Sequence, residues 1–168
     1  KQDLETAGLA CLLLQQALSA KGCNQLALLD LNNVRIGDHG TKKVATELAA
    51  NQLLKQLYVT FNDIGPEGAQ ALAKALKDNS CLEALDIRDN EVLDEGADAL
   101  ACGLKGNVAL SRLLVARNEI GTKGAEALAA AVRRNPQLRV DFGASGVDSR
   151  HLQDMMRNTP RYGINWWS

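Results

Sequence analysis

Leucines at positions 29, 57, 85 and 113 are separated by 28 residues three times in succession. Around them stands one recurring phrase: Leu26-Ala-Leu-Leu29-Asp-Leu31, Leu54-Lys-Gln-Leu57-Tyr-Val59, Leu82-Glu-Ala-Leu85-Asp-Ile87 and Leu110-Ser-Arg-Leu113-Leu-Val115. A period held over four copies requires an array of one supersecondary unit and excludes a single irregular domain. A fifth copy follows with one residue deleted, in which Val140 and Phe142 take the strand positions and Val147 the later apolar one. Dividing the 168 residues by the period gives six turns, the outer two incomplete.

Each copy continues alike: Asn62-Asp-Ile64-Gly65-Pro-Glu-Gly68, Asn90-Glu-Val92-Leu93-Asp-Glu-Gly96, Asn118-Glu-Ile120-Gly121-Thr-Lys-Gly124 and, with Val34 in place of Asn, Val34-Arg-Ile36-Gly37-Asp-His-Gly40. An Ala/Leu run such as Gly68-Ala-Gln-Ala-Leu-Ala-Lys-Ala-Leu76 comes next. Apolar residues at 29 and 31, 57 and 59, 85 and 87, 113 and 115 alternate with period 2, which predicts a strand buried on one face. Ala69, Leu72, Ala73 and Leu76 fall at helical spacing, which predicts a helix packed on that strand. One strand and one helix cannot cover both apolar faces, so the units must stack into a parallel sheet with helices behind it.

The pattern L-x-x-L-x-L-x-x-N-x-I-G-x-x-G resembles the leucine-rich repeat family. Its period, with a full helix per repeat, is similar to the ribonuclease-inhibitor subtype. That subtype also occurs in the sensor regions of NOD-like receptors and in Ran GTPase-activating protein. The Gly-Ala-x-Ala-Leu-Ala helix start is similar to GALA effectors of plant-pathogenic bacteria. The resemblance covers about residues 26 to 160. It implies an α/β solenoid, a horseshoe segment with a parallel β-sheet on its concave face and α-helices on its convex face.

We expect one domain over residues 1–168, made of an incomplete N-terminal repeat helix (1–25), four full repeats (26–137) and a shortened fifth repeat with a C-terminal cap (138–168). Helical composition marks residues 4–21 and again Arg150 to Asn158, and Tyr162-Gly-Ile164-Asn-Trp166-Trp167 reads as a closing strand or coil. The chain starts at Lys1, with no secretion signal, and reads as part of a larger protein.

Several positions carry local expectations. Asn62, Asn90 and Asn118 turn inward to satisfy loop backbone; Val34 and Ser145 cannot do so equally, which predicts looser first and last turns. The glycines at 40, 68, 96 and 124 keep the helix starts free of side chains. Leu93 replaces Gly and predicts a different local loop, because Leu tolerates positive φ poorly. Pro66, Asp94 and Thr122 read as helix starters.

The chemistry of catalysis is missing. His39 and His151 stand outside any metal-ligand or triad spacing, and no Lys-Ser/Thr follows the Gly-x-x-Gly segments as in a phosphate loop. No catalytic residue, metal or cofactor is expected. Cys11, Cys23, Cys81 and Cys102 form no C-x-x-C, so free thiols in a reducing cytoplasm are expected, with Cys81, Cys102 and Cys11 buried. Lysines and arginines gather at helix C-termini and acids at N-termini, where helix dipoles explain them. A net charge of −1 gives no field for nucleic acid or an acidic membrane, and no run approaches the ~20 apolar residues of a membrane span.

What remains is the sheet face turned away from the core. One column there reads Asp30, Tyr58, Asp86, Leu114, Asp141; the next Asn32, Thr60, Arg88, Ala116, Gly143; a third Asn33, Phe61, Asp89, Arg117, Ala144. Aromatic anchors among Arg and mixed charge are what protein interfaces favour. The candidate residues are Asp30, Asn32, Tyr58, Thr60, Phe61, Asp86, Arg88, Asp89, Arg112, Leu114 and Arg117. Cross-strand ion pairing among Asp86, Arg88, Asp89 and Arg112 is the competing explanation for the charges. The expectation is a non-enzymatic protein–protein interaction module with no small-molecule substrate. The resemblance implies three further contexts: signalling or innate immunity, regulation of a small GTPase, and substrate recruitment to a ubiquitin ligase or by a bacterial effector.

Overall fold

The computed structural model describes residues 26–143 and, as backbone, 164–165. Six strands, β1 (Leu28–Asp30), β2 (Gln56–Tyr58), β3 (Ala84–Asp86), β4 (Arg112–Leu114), β5 (Arg139–Asp141) and β6 (Ile164–Asn165), form one sheet in sequence order. Every neighbouring pair is parallel. Among the described residues, four helices lie between them: α1 (Gly37–Ala50), α2 (Pro66–Asp78), α3 (Leu93–Gly103) and α4 (Thr122–Arg134). The register steps by the repeat length at Leu29↔Leu57, Leu57↔Leu85 and Leu85↔Leu113, then loses one residue at Leu113↔Val140, where the sequence carries its deletion.

Short strands suffice because the ladder runs past them: Leu31, Val59, Ile87 and Val115 donate to the carbonyls of Tyr58, Asp86, Leu114 and Asp141 in the next repeat. Each phrase position becomes a core column. Leu57, Leu85, Leu113 and Val140 are fully buried, and Val44, Leu72, Leu100 and Leu128 face them from the helices. Consecutive helices pack on one another in turn, so each repeat is covered by its neighbours. Leu29, in the first described strand, is only half-buried.

At the strand ends the asparagines behave as expected. Asn90 Nδ2 donates to the carbonyls of Val59, Ile87 and Arg88, while its Oδ1 accepts from the amides of Asn62 and Ile64. Each such Oδ1 serves the preceding loop: Asn62 Oδ1 accepts from Val34 and Ile36, and Asn118 Oδ1 from Val92. The first loop therefore has its amides satisfied although Val34 replaces Asn, and the reason given for a looser first turn falls away. Ser145 lies outside the described residues.

A second asparagine ladder, which the sequence reading missed, runs along the opposite edge at Asn51, Asn79, Asn107 and Asn135, all buried. Asn79 Nδ2 donates to the carbonyls of Leu48 and Asn51, and its Oδ1 accepts from Cys81 and Leu82. Asn107 repeats this with Leu76, Asn79, Ala109 and Leu110.

The expectation at Leu93 needs correction. Leu93 takes φ +57°, matching Gly37 at +54°, and both amides donate to the asparagine carbonyl of the next repeat, Asn118 and Asn62. That backbone bond imposes the left-handed conformation on Leu93 despite its Cβ, whereas Gly65 and Gly121 are extended. Asp94 lies in the first turn of α3 and also acts one repeat on: its Oδ1 accepts from Gly121 and Gly124, at 2.8 and 2.9 Å, and so caps α4. Asp38 caps α2 through Gly65 and Gly68. Pro66 and Thr122 do open α2 and α4. The helix-start glycines are required: a Cβ on Gly68 would come 2.6 Å from Asp38 Oδ1, and one on Gly124 2.7 Å from Asp94 Oδ1.

The expected helices at 4–21 and 150–158 lie outside the described residues, as do the aromatic side chains near the C-terminus. Among the described residues no helix is long and apolar enough to cross a membrane.

Candidate functional site

Of the eleven candidates, Asp30, Tyr58, Asp86, Arg112 and Leu114 lie on the strands, and Asn32, Thr60, Phe61, Arg88, Asp89 and Arg117 in the segments that follow them. Asp30, Tyr58, Asp86, Leu114 and Asp141 are register partners along one row. Thr60 is buried, Tyr58, Leu114, Arg88 and Asp89 are half-buried, and Asp30, Asn32, Phe61, Arg112 and Arg117 are exposed.

Several of these residues have structural tasks. Asp30 Oδ1 accepts from the Asn32 amide, Asp86 Oδ1 from Arg88 and Asp141 Oδ1 from Gly143, closing the turn after each strand. Asn32 Oδ1 accepts from the Thr60 amide. Asp86, 2% exposed, also holds Arg88 in a forked pair, Nε to Oδ1 at 2.9 Å and Nη2 to Oδ2 at 2.6 Å. That hydrogen bond keeps the guanidinium pKa above its ordinary value; desolvation opposes it, and the charges of Asp86 and Asp141 add to it. Arg117 forks onto Asp89 of the preceding repeat, and this hydrogen bond, with the Asp89 charge, raises its pKa as well. Charge pairing thus accounts for Asp86, Arg88, Asp89 and Arg117, one pair within a repeat and one between repeats. It leaves Arg112 out.

Phe61 has no such task. It is 55% exposed, and its backbone sits at φ +54° in the column where Asn33, Asp89 and Arg117 are also left-handed. Asn and Asp tolerate that region; a large aromatic does not favour it. Tyr58, one strand position before the turn, donates its hydroxyl to Gln56 Oε1 at 2.8 Å. The two rings belong to a face with Leu114 in the same row as Tyr58.

Arg139 was missed. It pairs in register with Arg112, and both are exposed. Its row, Leu28, Gln56, Ala84, Arg112 and Arg139, was not among the columns read from the sequence, because its first three members carry no charge to mark it. The thiols also differ from expectation: Cys81 is half-buried with Sγ 3.1 Å from Gln52 Oε1, and Cys102 is exposed on α3. Cys102 occupies the helix position of Lys74, which faces solvent, so a thiol there is not core. No group of His, Cys, Asp and Glu suited to a metal occurs among the described residues, and His39 is exposed.

Three segments, residues 50–73, 78–101 and 107–129, match the family described as Leucine Rich repeat. With the parallel sheet and the helices between its strands, these segments give the described residues a leucine-rich repeat fold. Among solved structures it is similar to leiomodin-1 actin-binding site 2, at 19% identity and a TM-score of 0.73, covering 86% of this chain and 83% of that one. It is also similar to the tropomodulin C-terminal domain of Caenorhabditis elegans, at 12% identity and a TM-score of 0.72, covering 89% of each. No curated protein sequence matches the chain.

Proposed function

We propose that the chain is a non-enzymatic recognition module that binds a protein partner through the inner face of its sheet. The observation that carries this is Phe61, an aromatic ring more than half exposed on a backbone conformation suited to Asn or Gly. Burial in the core cannot explain it, and the fold would be served better by a small polar residue. Contact with a partner explains it, because rigid aromatic rings beside arginines dominate interface energetics. A stacked array holds Tyr58, Phe61, Leu114 and Arg117 in place before binding, which lowers the ordering cost of association.

Affinity capture from the source cell, comparing wild type with a Tyr58→Ala/Phe61→Asn variant of matched circular dichroism, tests the reading. Proteins retained by the wild type and lost by the variant are expected. Partners retained equally by both would move the site off this face. A second reading rests on the printed name of one structural neighbour, an actin-binding site: the partner is actin. Co-sedimentation with filaments and anisotropy with labelled monomer test it, and absence of binding in both removes actin while leaving the recognition module standing.

A further inference from the structure

Among the described residues, Arg112 and Arg139 lie on β4 and β5, and Arg88 and Arg117 in the segments that follow β3 and β4. Two are neutralised, Arg88 by Asp86 and Arg117 by Asp89, and along the same sheet Lys55 pairs with Glu83 at 3.0 Å. Arg112 and Arg139 make no ion pair among the described residues, yet they are register partners on adjacent parallel strands, a separation of about 4.8 Å between backbones. Like charges directly opposite each other disfavour the sheet. The nearest acid on β5, Asp141, already accepts the Gly143 amide through Oδ1. Two positions along β4 from Arg112 lies Leu114, half-buried.

We propose that Arg112 and Arg139 form a clamp for an oxyanion, a carboxylate or phosphoryl group on an acidic segment of the protein partner, with Leu114 contacting the neighbouring apolar residue of that segment. The inference rests on the inner-face reading and adds the partner's chemistry to it. Two exposed arginines in register on adjacent strands have guanidinium N–H donors that match such groups bidentately, and a bound anion offsets the repulsion between them. The ring of Phe61 and the clamp then divide the face, an apolar anchor toward one end and an anion site toward the other.

Fluorescence anisotropy with a labelled glutamate-rich peptide, and with a neutral peptide carrying one phosphoserine, tests the clamp and separates the two sources of the anion. Wild type is expected to bind at least one of them, and Arg112→Gln/Arg139→Gln to weaken that binding by about tenfold. Arg133→Gln/Arg134→Gln, which removes the same charge from the last turn of α4, is expected to leave it unchanged. No binding by wild type, or equal losses in both variants, would overturn the clamp. The inner-face reading is judged separately by the captured partner: if Phe61→Asn abolishes its binding and the clamp variant does not, the clamp alone fails; if neither variant matters, the face itself fails.

Discussion

Asn90 contributes one amide group and holds the loops of two repeats with it, accepting from Asn62 and Ile64 and donating to Val59, Ile87 and Arg88. Asn90→Ala leaves these buried backbone groups without partners and is expected to lower stability by about 2–4 kcal/mol, measured by urea unfolding. Asn107→Ala, in the second ladder, is expected to cost a similar amount. The first ladder could be read from the sequence because its asparagines follow the strand phrase. The second has the same spacing but lies between helix and strand, where no apolar pattern draws attention to it. Leu93 shows the limit of residue-level rules: its left-handed φ is set by a hydrogen bond to Asn118 of another repeat, a partner that no local window contains.

Between elements, the capping of one helix by the preceding repeat is the feature hardest to see in sequence, since Asp94 acts 27 and 30 residues downstream. Asp94→Ala is expected to destabilise α4 by about 1–2 kcal/mol, the range for lost N-caps, and to speed amide exchange at Gly121 and Gly124. Faster exchange elsewhere with those two unchanged would show that the cap contributes nothing. Helices α1 and α2 are also joined by Lys42 and Glu67 at their solvent faces. The hydrogen bond from Lys42, with its charge, lowers the Glu67 pKa, while Lys42 is raised chiefly by the same bond. A depressed carboxylate pKa means that this pair's support is present above the ordinary glutamate range and is lost as pH falls through the folded value. Both groups are exposed and solvent screens them, so the effect on stability is small. It is visible site by site: in an NMR titration Glu67 is expected to titrate below the usual glutamate range and to return to it in Lys42→Ala.

At the scale of the molecule the period decides the architecture, and most of the fold was readable from it: parallel strands, the helices between them, and the row Asp30, Tyr58, Asp86, Leu114 and Asp141. The site was readable only as a set of columns. Side-chain pairing divides those columns into residues with structural work, such as Asp30, Asp86 and Asn32, and residues without it, and that division depends on geometry that spacing does not contain. Arg139 escaped because its row, which opens with Leu28, Gln56 and Ala84, shows no charge until Arg112. The central claim is that Phe61 is placed for a partner and not for the fold, and Phe61→Asn separates the two. Isothermal titration of a captured partner, run beside urea unfolding of the same samples, is expected to show stability unchanged or slightly higher, since Asn tolerates the left-handed backbone, with affinity reduced by about thirtyfold, as for a buried aromatic anchor. Full affinity in Phe61→Asn, or a loss of affinity matched by a loss of folding, would contradict the account.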